Sequence, residues 1–414
     1  MQHAVRNYLV VTASYWGFTL VDGALRMLVL LHFFKLGYSP FTLSFLFLLY
    51  EFAGIVANIA GGWLAVRFGI SAMLAVGQAL QVLGLVMLSA LDPAWAPIGS
   101  VIWVVAAQGI SGLAKDFTKT ASKSAIKATS AEGAGELFKW VAWFTGSKNA
   151  MKGAGFFVGG LLLDGLGFRP ALWLMAALIG LIFVLGVILL PRQLGKAKSS
   201  KSVKELFAKS RGVNLLAAAR VFLFGARDVW FVVGLPVFLY ANGWRFTEVG
   251  AFLAAWTIAY GAVQAIAPRF VSRSADGLVA EVPAARVWAL VLTTIPVALA
   301  ILLASGSFAR PDVLLVVGLA IFGLPFAVNS SLHSYLILAY AGSEKAAEDV
   351  GFYYAANALG RLMGILLSGA LYQIGGIIAC LAGSAAMLAA CWAITLALPS
   401  TASARAMADH PAKA

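Results

Sequence analysis

The sequence has 414 residues, 61% hydrophobic and 11% charged, with a mean hydropathy of +0.90. A soluble domain carries about a quarter of its residues charged to cover its surface, so water is excluded as this chain's main solvent. The net charge of +13, from 30 basic and 17 acidic residues, invites a nucleic-acid reading. The basic residues, however, neither spread over a soluble face nor interleave with base-stacking aromatics, and no nucleic-acid partner is expected. Cys380 and Cys391 fall in the last apolar run as small buried hydrophobes, so no disulfide framework, metal site or cofactor is expected.

Apolar runs long enough to cross a bilayer, about 20 residues each, recur along the chain. The predicted spans are 8–34, 43–66, 71–91, 97–120, 137–163, 171–190, 214–240, 247–268, 286–305, 312–340, 350–372 and 377–398. The fold class is therefore an all-α polytopic membrane protein of about twelve transmembrane helices. The first run carries Asp22 and Arg26 and lacks a small-residue cleavage site, so it reads as a retained span rather than a signal peptide. The longest polar link, 191–212, holds Arg192, Lys196, Lys198, Lys201, Lys204, Lys209 and Arg211 against a single acid, Glu205. It divides the chain into an N-terminal six-helix bundle (1–190), a basic linker (191–213), a C-terminal six-helix bundle (214–398) and a tail (399–414). Placing that linker in the cytoplasm satisfies the excess of positive charge on cytoplasmic loops, because Arg6, Arg67, Lys123, Lys127, Arg269, Arg273, Lys345 and Arg405 then share its side. Lys35, Arg169, Arg245 and Arg310 scatter on the other side, and both termini are cytoplasmic.

The two halves look related. A shift of 206 places Phe18 on Phe224, Asp22 on Asp228 and Gly37 on Gly243; a shift of 209 places Lys152 on Arg361, Gly155 on Gly364 and Gly160 on Gly369. Two parallel six-helix pseudo-repeats around a central site resemble the major facilitator superfamily. The segment 61–69 at the second cytoplasmic turn is similar to that superfamily's signature loop, Gly-x-Leu-Ala-Asp-Arg-x-Gly, except that Val66 stands at the usual Asp position.

An ionisable side chain near the bilayer centre costs about 2.5–3.5 kcal/mol on insertion scales, so each needs a partner, a water-filled cavity or a function. Asp22 and Arg26 share a face of the first helix, either as a self-neutralising pair or as a lining pair in which Arg26 contacts solute and Asp22 positions it or carries a proton. The fifth helix carries Lys148, Asn149 and Lys152, two lysines one turn apart with no acid in reach along that helix. Arg227 and Arg361 lie at comparable depth in the second half. Arg26, Lys148, Lys152, Arg227 and Arg361 are expected to form a ring of positive charge suited to phosphate-like oxyanions. Lys115 and Lys119, at the inner end of the fourth span, would begin an anion's entrance funnel, whereas Lys123 and Lys127 continue into solvent. Glu51, with Asn58 two turns on, and Asp228 either exchange protons or neutralise the basic residues. Asn329, Ser330, Ser331, His333 and Ser334 make a polar stripe in the tenth helix, and Asn357 follows in the eleventh; helix–helix hydrogen bonding and solute contact are both open to them.

The sequence holds no phosphate-cradling Gly-x-x-x-x-Gly-Lys-Ser/Thr loop, no His-Glu-x-x-His and no Gly-x-Ser-x-Gly elbow, which points away from an enzyme and from ATP as direct energy source. A more specific resemblance lies in Asp22-Gly-Ala-Leu-Arg26-Met-Leu-Val-Leu-Leu-His32, Tyr50-Glu-Phe52, Gly112-Leu-Ala-Lys-Asp116, Phe138-Lys-Trp140, Thr145-Gly-Ser-Lys-Asn-Ala-Met-Lys-Gly153, the run from Ala217 through Arg227 and Asp228 to Tyr240, and Gly351 to Gly364. These resemble the organoarsenical efflux permeases of bacterial arsenic-resistance operons, a branch of the major facilitator superfamily. The resemblance implies a multi-pass protein of the bacterial inner membrane. It would export 1-arseno-3-phosphoglycerate, the labile adduct made when glyceraldehyde-3-phosphate dehydrogenase uses arsenate in place of phosphate, with proton antiport as coupling. The implied partners are the lipid bilayer, that small organophosphate-arsenate anion and, functionally, the dehydrogenase. Lys148 and Lys152 would hold one end of the solute and Arg26, Arg227 or Arg361 the other. The alternatives are a transporter of ordinary sugar phosphates and a membrane sensor without transport.

Overall fold

The computed structural model describes residues 2–57, 69–129, 134–191, 210–271, 274, 278–341 and 346–400, without the side chains of 2–5, 8, 123–129, 134–146, 268 and 346–348. The segment 61–68 of the signature-like loop, Asn58, the linker 192–209, Arg273, Lys345, the tail 401–414 and the side chains of Lys123, Lys127, Phe138 and Trp140 lie outside the described residues.

Among the described residues the regular structure is helical throughout. In chain order it comprises α1 (Gln2–Lys35), α2 (Pro40–Phe45), α3 (48–57), α4 (Ile70–Ser89), α5 (Pro97–Thr129), α6 (Ala134–Gly165), α7 (Phe168–Leu189), α8 (Arg211–Phe231), α9 (Gly234–Ala241), α10 (Phe246–Ile266), α11 (Glu281–Ala304), α12 (Pro311–Tyr340) and α13 (Ala346–Leu396). An apolar medium offers no hydrogen bonds to free peptide groups, so helices that satisfy their own backbone are the natural answer to so apolar a sequence. Ten stretches are long and apolar enough to span a bilayer. One of them, Asp349–Leu396, breaks at Gly375 and Gly376, whose backbone leaves the helical region, and therefore makes two crossings. Adding the 32-residue α6, whose Lys148, Asn149 and Lys152 dilute its apolar character, brings the described crossings to twelve. The protein is a multi-pass membrane protein.

The chain divides into two compact units. The first comprises residues 1–38, 45–201 and 243–258; the second comprises 39–44, 202–242 and 259–414. In the first unit α1 packs on α5, α6 and α7, and α4 on α5 and α7. In the second, α8 packs on α12 and α13, and α11 on both of those. The internal repeat is legible in these contacts. A Cβ on Gly155 of α6 would collide with the Leu20 carbonyl oxygen of α1 and lie 3.0 Å from the Gly23 Cα; one on Gly364 of α13 would lie 2.6 Å from the Gly225 carbonyl oxygen and 2.8 Å from the Asp228 Cβ of α8. Small residues let these backbones touch, which is how helices associate in lipid. Gly37 (φ 87°) and Gly243 (φ 88°), matched by the same shift that aligns Asp22 with Asp228, both take left-handed backbone just past a helix end.

The span expected at 214–240 is not one helix. It parts between α8 and α9 at Val232 and Val233, just before Gly234 and Pro236. The freed amides of Val233 and Gly234 donate to Ser368 Oγ of α13 at 3.3 and 3.0 Å, so the break is closed by a neighbour's hydroxyl.

Candidate anion and charge-exchange sites

Each unit buries its own cluster of charge. In the first, Arg26 of α1 does not form a simple couple with Asp22 on its own helix. Its Nη2 lies 2.5 Å from Glu51 Oε1 of α3, and its guanidinium sits over the rings of Phe47 and Tyr50, 5.1 and 5.0 Å from their centroids. Asp22 instead accepts a short hydrogen bond from the Tyr50 hydroxyl, and Lys115 Nζ of α5 lies 3.9 Å from the centroid of that same ring. Asp116 takes Lys119 at 2.6 Å and Lys115 at 3.7 Å. The two lysines read from sequence as an entrance funnel thus have a carboxylate of their own, 1% exposed. Three carboxylates (Asp22, Glu51, Asp116) and three cations (Arg26, Lys115, Lys119) make a balanced buried network around Tyr50.

Lys148, Asn149 and Lys152 are half-buried on α6. Ser147 beside them accepts from Trp16 Nε1 of α1 at 2.9 Å, and Lys152 Nζ lies 5.8 Å from the Phe156 ring centroid. The carbonyl of Lys152 sits 2.6 Å from where a Cβ on Gly23 would stand, so the lysine-bearing turn rests against the helix that carries Asp22 and Arg26.

In the second unit Asp228, fully buried, binds two cations: Arg227 Nη2 at 2.5 Å and Arg361 Nε at 3.2 Å. The aligned carboxylates Asp22 and Asp228 therefore do different work, one receiving a phenol and the other a pair of guanidiniums. Arg227 also sits among the rings of Phe224, Phe231 and Phe326, 5.0–5.6 Å from their centroids.

Sequence reasoning gave Arg220 no role, yet it is the most deeply buried cation described, 4% exposed. Its Nε donates to Asn357 Oδ1 at 2.9 Å, and its Nη1 to the Ser330 carbonyl at 3.1 Å and to Ser330 Oγ at 3.3 Å. The guanidinium stacks 3.9 Å from the Phe224 centroid and 4.9 Å from that of Tyr353. Among the described residues no carboxylate comes within ion-pair distance of it. Asn357, and the polar stripe of α12 through Ser330, thus serve this arginine. Asn329 and His333 on the same helix are completely buried, and neither amide atom of Asn329 nor either ring nitrogen of His333 finds a hydrogen-bond partner among the described residues. A missed clue was available: Arg220 lies seven positions before Arg227, hence on the same helical face. No group of three His, Cys, Asp or Glu side chains among the described residues is placed to hold a metal ion.

Residues 8–278 match the sequence profile of the Major Facilitator Superfamily. The chain belongs to that superfamily. A major facilitator protein is a secondary transporter rather than an enzyme. The solved structures similar to this facilitator include a point mutant of the nucleoside transporter NupG (TM-score 0.72, 15% identity, covering 96% of this chain and 98% of that one). A D-xylose–proton symporter matches at TM-score 0.69 and 13% identity over 96% and 98% of the two chains. A POT family transporter in complex with 5-aminolevulinic acid matches at TM-score 0.73 and 13% identity over 95% of each. Comparison with curated protein sequences gave no match.

Proposed function

We propose that this facilitator exports an anionic organoarsenical, 1-arseno-3-phosphoglycerate, across the bacterial inner membrane in exchange for protons, with both termini in the cytoplasm. The observation that carries this reading is the cluster of arginines around a single carboxylate in the second unit. In the second unit Arg227 and Arg361 share the one carboxylate of Asp228, and Arg220 on the same helix has uncharged acceptors; in the first unit, separately, α6 carries the half-buried Lys148 and Lys152. Buried cations are tolerated when an opposite charge completes them, and a polyanionic solute supplies it. Guanidinium forks match the planar spread of phosphate and arsenate oxygens better than ammonium groups do. The balanced network of Asp22, Glu51, Asp116, Arg26, Lys115 and Lys119 is neutral without a solute and is assigned to proton exchange: protonating one carboxylate releases a cation. The sequence resemblance selects the arseno-adduct among organophosphates; a carrier of ordinary sugar phosphates would use the same cations.

Arsenate-sensitive cells expressing the chain test this. Resistance is expected with the wild type and is lost in Lys148→Gln/Lys152→Gln at equal membrane abundance. Unchanged resistance in the double variant overturns the assignment of these lysines.

A further inference from the structure

We propose that Asp22 is the group that takes up the proton in the buried network of the first unit, and that Tyr50 is the positioning residue that singles it out. This rests on the proton-exchange reading of that network and assigns the proton within it.

The three carboxylates are not equivalent. Glu51 holds Arg26 at 2.5 Å, and Asp116 holds Lys119 at 2.6 Å and Lys115 at 3.7 Å. A proton on either acid breaks an ion pair at contact distance and leaves a buried cation without its counter-charge. Asp22 has no cation within ion-pair distance among the described residues; it accepts from the Tyr50 hydroxyl. With a proton on Asp22, acid and phenol remain hydrogen-bonded, since each is both donor and acceptor. Access agrees with pairing: Asp22 is 6% exposed, whereas Glu51 and Asp116 are each 1% exposed. The proton comes from water and adds to a carboxylate oxygen of Asp22, and the phenol keeps its own.

Tyr50 ties that event to a cation. Its hydroxyl serves Asp22, while its ring carries the Lys115 ammonium at 3.9 Å and the Arg26 guanidinium at 5.0 Å. Neutralising Asp22 leaves the network one positive charge in excess, and that excess falls on Lys115, which shares Asp116 with the closer Lys119. The tyrosine is held in place from α5: a Cβ on Gly112 would lie 2.5 Å from the Tyr50 carbonyl oxygen and 2.8 Å from its Cα. The other ionisable groups around Asp22 are Tyr15 and Arg26 of α1, Glu51 of α3, Lys115, Asp116 and Lys119 of α5, and Lys148 and Lys152 of α6, while α7 brings only Arg169 in its first turn. These charges set the pH at which Asp22 titrates, and the phenol adds one hydrogen bond to its ionised form.

Infrared titration of the purified full-length chain in lipid, following the C=O bands of protonated carboxyl groups against pH, tests this. Wild type is expected to show a band that vanishes in Asp22→Asn. Tyr50→Phe keeps the ring on which the cations rest and withdraws only the hydroxyl. It should raise the proton affinity of that same group about ten- to a hundredfold, the effect of losing one hydrogen bond to a charged acceptor, read as a band midpoint about one to two pH units higher. A band that persists in Asp22→Asn and is lost in Glu51→Gln or Asp116→Asn, or a midpoint that Tyr50→Phe leaves in place, overturns the assignment and leaves the proton-exchange reading standing. Titrations identical in wild type and all three carboxylate variants mean that the network takes up no proton, and remove that reading and the assignment with it.

Discussion

Asp228→Asn is the sharpest perturbation of the second unit. One buried carboxylate holds Arg227 at 2.5 Å and Arg361 at 3.2 Å, and these guanidiniums are only 14% and 17% exposed. The substitution keeps the side-chain shape and packing but removes the charge. Removing one partner of a buried pair leaves an uncompensated charge and costs about 3–5 kcal/mol. Two stranded guanidiniums that keep some solvent access put this site at the lower figure. At about 2–4 °C per kcal/mol for a body of 150–250 residues, the melting temperature in detergent should fall by roughly 6 °C or more. The second half of the prediction is rescue. Inorganic phosphate replaces the missing negative charge, so it should raise the melting temperature of the variant by several degrees more than that of wild type, while chloride at equal ionic strength should not. An unchanged melting temperature, or equal effects of phosphate on both proteins, would refute the account of Asp228 as the internal counter-ion of Arg227 and Arg361.

Three further outcomes follow from the packing. Glu51→Gln should lose about 3 kcal/mol by stranding Arg26, and Arg26→Gln/Glu51→Gln should recover most of it in the same melting assay; equal losses would contradict the pairing. Ser368→Ala leaves the Val233 and Gly234 amides at the α8–α9 break without their acceptor and should cost about 1–3 kcal/mol, read as a lower melting temperature than Ser71→Ala, whose hydroxyl caps an exposed carbonyl. Gly364→Ala, which forces a methyl against α8, should lower thermal stability by about 1–3 kcal/mol, whereas Gly180→Ala, with open space around the new methyl, should not.

Much of the fold was legible because lipid simplifies the rules: apolar runs of bilayer length must be helices, and the punctuation at Gly37 and Gly375–Gly376 ends them. The repeat was readable too, since Gly155 and Gly364 mark close helix contacts that no side chain can occupy. Partners were harder. The four-residue spacing of Asp22 and Arg26 says they share a face, but not that Glu51 from α3 takes the arginine while Tyr50 takes the aspartate; tertiary neighbours decide a pairing that local spacing only permits. The same holds for Lys115 and Lys119, drawn to Asp116 on their own helix. Arg220 stands two turns before Arg227, near the start of the predicted span 214–240, where a lysine or arginine ordinarily snorkels to water. Only the packing of α8 against α12 and α13 reveals that it is sealed in among Ser330, Asn357 and two rings.

The central claim is best tested in everted membrane vesicles carrying this chain, supplied outside with arsenate and with glyceraldehyde-3-phosphate dehydrogenase, its substrate and NAD, and then with the enzyme omitted. Arsenic accumulating only when the dehydrogenase is present is the predicted result; accumulation of arsenate without it, or none in either case, would contradict export of the arseno-phosphoglycerate adduct.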